Sequence, residues 1–172
     1  MKRIGLLVMT CCSLFMVLQS SVVINSQAQN VTTNAEPDMP TGPHVLGVFD
    51  GRTPCQELAR QLKVVTIPEC IKIKWRLILF QDPATQAPTS YSLEGFVYRK
   101  PPRTGKWTIL KGTKTDPNAI VYQLDPDNSG GFLSFLKADD NILFFLAGDR
   151  NLLVGNTYFS YTLNRADKVP QR

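Results

Sequence analysis

Ile71-Lys72-Ile73-Lys74-Trp75-Arg76-Leu77-Ile78-Leu79-Phe80 is the stretch on which the fold turns. Ile71, Ile73, Trp75, Leu77 and Leu79 fall on one side of a two-residue repeat, and Lys72, Lys74 and Arg76 fall on the other. Successive side chains of an extended chain point to opposite faces, so the pattern is that of a strand with one face in a core and one in water.

The same period recurs on both sides of it. Val45 to Phe49 precedes it, and Tyr91 to Arg99, Lys106 to Leu110, Ala119 to Asp125, Phe132 to Lys137, Ile142 to Leu146 and Tyr158 to Leu163 follow. Turn residues separate these runs: Pro83 and Pro88, Pro101-Pro102 with Gly105, Asp116-Pro117-Asn118, Asp127 to Gly131, Asp139-Asp140-Asn141, and Gly148 to Asn151. Only Gln56 to Leu62 has a helical composition, and it is short. Short strands divided at this rhythm predict an all-β domain, a small antiparallel up-and-down β-barrel of about eight strands with one short helix near Cys55. Such a barrel closes its own edges and is wide enough for side chains or one small ligand. Trp75, Trp107, Phe135 and Phe145 are the residues expected to face inward, as core or as the lining of an apolar pocket.

The amino-terminal 28 residues set the expected compartment. Lys2 and Arg3 precede an apolar run beginning at Ile4, and Ser26-Gln27-Ala28 offers small residues for a signal peptidase. The run from Ile4 to Ile24 also admits a retained anchor, although Gln19-Ser20-Ser21 interrupts it. Lipid attachment at Cys11 or Cys12 fits poorly, because only Ile4 to Met9 lies upstream as an apolar region. Cleavage after Ala28 predicts an exported protein, periplasmic or extracellular, with no transmembrane segment left after signal removal. Removing 28 of 172 residues leaves 144, which suits one domain with a sizeable core. Lys2 and Arg3 leave with the signal, so the net charge falls from +5 to +3, and no strong electrostatic case for nucleic acid remains. Residues 29–43 carry Pro37, Pro40 and Pro43 and read as a flexible leader; 44–165 is the folded unit, and 166–172 a frayed tail.

Two cysteines survive processing, Cys55 and Cys70. In an oxidising setting an even pair is most simply a disulfide, with a metal pair or two free thiols as the alternatives. Other motifs resolve into ordinary structure. The stripe of Lys72, Lys74 and Arg76 reads as a solvated outer face, with Glu94 on the next strand to neutralise part of it. Asp125-Pro126-Asp127-Asn128-Ser129-Gly130 is similar to the opening of a calcium loop, yet Leu136 stands where the bidentate glutamate belongs, so a hairpin turn is expected. Thr104-Gly105-Lys106 lacks the earlier glycine of a phosphate loop. His44 is the one histidine and has no obvious serine or cysteine partner, and no spacing selects a pair of carboxylates. The chain is therefore expected not to be an enzyme.

At Gly51-Arg52-Thr53-Pro54-Cys55, followed by Gly105-Lys106-Trp107, the chain resembles the N-terminal domain of the NlpE-type copper-resistance and envelope-stress lipoproteins of bacteria. The resemblance covers about 44–165 and implies a lipocalin-like barrel in the bacterial envelope. It implies a noncatalytic role in metal or surface-stress sensing; the chain is expected to need no cofactor and to take a small apolar ligand or an envelope protein as partner. The family's second thiol is missing, since Leu58 stands where it should be. A copper site, the alternative function, would have to draw on Cys55, Cys70 and His44, with Met39 as a further soft donor. A disulfide between Cys55 and Cys70 would remove both thiolates from that set.

Overall fold

The computed structural model describes residues 39–62, 66–95, 101–128 and 132–167. The expected signal peptide and most of the leader lie outside the described residues. Eight strands, β1 (Val45–Pro54), β2 (Lys72–Gln81), β3 (Pro88–Glu94), β4 (Arg103–Lys111), β5 (Ile120–Leu124), β6 (Ser134–Lys137), β7 (Ile142–Leu146) and β8 (Thr162–Arg165), close into an antiparallel up-and-down barrel. Each strand pairs with its neighbours in sequence, and the ring is shut where Phe49, Asp50 and Gly51 of β1 face Arg165, Asn164 and Leu163 of β8. One helix, α1 (Cys55–Gln61), interrupts the β1–β2 connection.

Phe49, Ile73, Trp75, Leu77, Leu79, Tyr91, Leu93, Leu124, Phe135, Leu143, Phe145 and Leu163 fill the inside as one cluster. β2 alternates as its sequence predicts, with Ile73, Trp75, Leu77 and Leu79 buried. Ile71 departs from that expectation: it precedes the first ladder pair of β2 and is 71 % exposed. β1 runs five residues beyond the expected Phe49, to Pro54. Gly51 makes this possible, because a Cβ there would lie 2.4 Å from the Thr162 carbonyl oxygen. Thr53, fully buried, accepts the indole N–H of Trp75 at 2.8 Å.

Gly105 is also not in a turn but inside β4, opposite Tyr91. β8 begins at Thr162 rather than Tyr158, because the Asn156 carboxamide oxygen accepts the backbone N–H groups of Tyr158 and Phe159 and bends that segment into a turn. At the tail, Ala166 donates its N–H to the Val48 carbonyl and Asp167 pairs with Arg165, so the described chain stays attached through Asp167.

The two ends of the barrel differ. At one end three connections are tight, and each is organised by an aspartate whose carboxylate accepts backbone N–H groups. Asp82 holds Ala84 and Thr85, Asp116 holds Asn118, and Asp139 holds Asn141 and Ile142. At the other end lie α1 and the long β7–β8 connection. α1 carries Glu57 in its first turn and Arg60 in its last, the arrangement its dipole favours, and these two side chains pair. Cys55, Leu58 and Ala59 form its buried face, and the Gln61 carboxamide reaches across to the Leu146 carbonyl at 3.3 Å. The helix thereby stoppers this end.

Candidate functional site

The interior is the first place to look for a ligand, and side chains occupy it. Phe145 lies 4.7 Å from Phe135, 5.4 Å from Trp75 and 6.5 Å from Tyr161, measured between ring centroids. Trp107 stands apart from that group; it meets Tyr122 edge-on at 5.0 Å, and its indole N–H donates to the Phe80 carbonyl at 2.7 Å. Trp75, Trp107, Phe135 and Phe145 are each at most 4 % exposed. All four expected pocket residues thus point inward, and they pack against one another or against the wall.

Cys55 and Cys70 form a disulfide, with Cα atoms 5.8 Å apart. Gln56 organises the loop they close: its carboxamide donates towards the carbonyls of Ile67, Pro68 and Cys70, and its oxygen accepts the Thr66 hydroxyl at 3.2 Å. His44 lies at the far end of the ten-residue β1, its ring parallel to Phe80 at 6.1 Å. The copper donors considered from sequence are therefore not assembled: both sulfurs are bonded to each other, and the imidazole is a strand length away.

A polar cluster that sequence reasoning missed sits where β3, β4 and the β5–β6 hairpin meet. Asp125 takes a positive φ of 49°, which swings its carboxylate back over the barrel end. One oxygen, Oδ2, accepts the Tyr91 hydroxyl at 2.9 Å and the Arg103 Nη2 at 2.6 Å. A Cβ on Gly105 would lie 2.1 Å from the other oxygen, so glycine is needed there. Burial is the main reason the Tyr91 hydroxyl stands well above its usual 10.0, pushed up to about 12; the hydrogen bond from Arg103 opposes this and that with Asp125 adds to it. Arg103 also covers the Phe132 ring at 3.9 Å. The arrangement is a clamp that ties the middle of β3 to the start of β4 and the end of β5. The calcium-loop reading of Asp125 gives way here to the expected hairpin, in which Leu124 and Leu133 are hydrogen-bonded neighbours.

Among the described residues, two grooves on the outside bear on the site. The first, of about 440 Å³, crosses the outer face of β8, β1, β2 and β3 between Asp50, Arg52, Lys74, Arg76, Glu94 and Asn164. The expected neighbour Glu94 does stand opposite Arg76 in register. The unforeseen partner is Asp50, which takes a two-pronged bond from the Arg76 guanidinium at 2.9 and 2.7 Å. The second groove, of about 280 Å³, lies under the turn that starts the β7–β8 connection.

Exposed apolar side chains are unevenly placed. Ile67 and Ile71 on the β1–β2 connection, and Leu152, Val154 and Tyr158 on the β7–β8 connection, are between 52 and 88 % exposed. β2 opens, directly after the first connection, on Lys72, whose ammonium lies 5.8 Å from the ring centroid of Phe159 in the second. Only Ile109 and Ile120 among the remaining described residues are comparable in kind, and they are less exposed, at 47 and 40 %.

Fold and surface together define a closed eight-stranded up-and-down barrel with a side-chain-filled interior, stoppered at one end by a disulfide-braced helix. Comparison with family models, curated proteins and solved structures found no match.

Proposed function

We propose that this domain is an exported, noncatalytic binding module that docks a protein partner with the apolar rim at its helix-bearing end. The observation that carries the reading is the placement of Ile67, Ile71, Leu152, Val154 and Tyr158 on two connections of one end. A packed interior favours this surface over an enclosed apolar ligand. The disulfide is consistent with an oxidising compartment, and a polar outer face around an apolar inside suits a barrel surrounded by water. A place in the bacterial envelope and a part in stress sensing belong to the same proposal, as the resemblance to NlpE-type domains implies.

The test is site-specific photo-crosslinking in the exporting host, with the reactive residue at Val154 or Ile71 and, as controls, at Ile109 or Ile120. A discrete adduct from the first pair and none from the controls supports the docking end. Equal labelling at all four positions, or none at Val154 and Ile71, removes it.

A further inference from the structure

We propose that the groove beneath the β7–β8 turn captures the free carboxylate end of a peptide whose last residue is apolar. This site is separate from the apolar rim and does not rest on the docking reading. After Leu146 the chain folds back over the outside of the barrel, so that Ala147, Gly148 and Arg150 cover the cross-strand row of Gln123, Ser134 and Leu146. The Lys114 N–H donates to the Arg150 carbonyl, and the Arg150 Nη1 reaches the carbonyls of Lys111 and Gly112, which fastens the turn to the β4–β5 connection. The space beneath is about 280 Å³, small beside ordinary ligand pockets and suited to about one residue.

Gln123 is the unusual member. It is only 7 % exposed, yet its carboxamide has no hydrogen-bond partner among the described residues. No fully buried side-chain nitrogen or oxygen lacks a partner there, so the Gln123 amide atoms retain contact with open space, and the groove they line supplies it. A carboxamide offers one donor and one acceptor face, the complement of a peptide group. Arg150 brings the cation. Its Nη1 is engaged by the two carbonyls, while Nε and Nη2 have no partner among the described residues. It holds a left-handed backbone, φ 62°, a conformation that an arginine adopts at some cost. The adjacent Asp149 carboxylate does not compete, since the Asn151 N–H and side chain and the Lys114 ammonium engage it.

Leu62, Phe132 and Leu146 supply apolar walls for a side chain. A closed barrel offers no strand edge to which a peptide could add, and a cation beside a carboxamide suits capture of a chain end.

The experiment is a ¹⁵N-correlation NMR titration of the exported protein with alanyl-alanyl-leucine and, separately, its C-terminal amide. The acid should shift the Gln123 side-chain amide and the Gly148 and Arg150 backbone signals, with the amide binding about tenfold more weakly or worse. Arg150→Gly suits the positive φ but gives up the bonds to the Lys111 and Gly112 carbonyls with the charge, so unchanged Gly148 and Ala147 signals in the free variant must first show that the turn stays in place; it should then bring acid and amide to equal, weak binding. Gln123→Met keeps the shape and should weaken both peptides. Arg52→Gln, in the other groove, should leave the acid's affinity unchanged. Equal binding of acid and amide by the unaltered protein overturns the proposal, as does an absence of shifts at these signals with millimolar peptide.

Discussion

The two ends of this barrel are built on different principles. The tight-turn end is made of local hydrogen bonds, one aspartate to each connection, and is finished by a buried cation. The Arg165 side chain is 7 % exposed; it donates to the Asp140 and Leu46 carbonyls, pairs with Asp167 and lies over the Phe49 ring. The helix-bearing end relies on a covalent link, an apolar stopper at Leu58 and the Tyr91–Arg103–Asp125 clamp, with long connections left to carry side chains outward. Rigidity at one end and display at the other can coexist because the packed interior joins them.

The largest expected effect breaks the tight-turn end. Arg165→Met leaves Asp167 and two carbonyls without their donor and should cost about 3–5 kcal/mol in urea unfolding. A Cys55→Ala/Cys70→Ala variant breaks the other end and should lose about 3 kcal/mol, with reduction of the unaltered protein matching it.

Titration separates the ends next. Tyr91 and Tyr161 both stand at about 12, raised chiefly by burial, against 10.0 when unfolded. The unfolded chain gives up these protons first, so stability is intact below pH 10 and declines as pH climbs towards 12. Tyr91→Phe should make that decline shallower. Asp82 shifts the opposite way, its carboxyl lowered chiefly by the Thr85 N–H. Its contribution is present above pH 3.8 and fades as pH falls below that value, so Asp82→Asn should flatten the acid limb of a stability–pH curve.

Asp139→Ala at a single turn should cost about 1 kcal/mol by thermal unfolding. Val154→Ser, at a side chain 88 % exposed, should change stability by less than about 0.5 kcal/mol. Any larger loss there would mean that the rim is structural rather than displayed.

What the sequence discloses follows the range of each interaction. The alternation from Lys72 to Phe80 is local, and it names the buried face of β2 correctly from Ile73 onward. The number of strands and the disulfide were legible for the same reason, as patterns within short windows. Gly105 reads as a turn signal, yet it lies in a strand, as does Gly51, because what excludes a side chain at either place comes from a partner distant in sequence. The Asp50–Arg76 fork, the Asp125 clamp and the Arg165 staple likewise join residues at least 22 positions apart, apart from Arg103 with Tyr91 and Arg165 with Asp167. No periodicity announces such pairs. The outer groove was hidden too, since only a connection folded back over the wall turns Gln123 from a surface glutamine into a covered one.

Seven of the eight ladders join strands consecutive along the chain, and only that between β1 and β8 spans the whole domain. A meander of hairpins can therefore assemble progressively during folding, whereas the ring can close only after both termini of the domain have been made and brought together. That seam holds three register pairs, with Arg165 in one of them. If that closure follows the rate-limiting step, shortening the seam should hasten unfolding and leave the folding rate nearly untouched, an outcome that the two limbs of a chevron plot separate. The covalent ends of the domain thus meet in one short seam, and the ring has no other place where strands distant in sequence are paired.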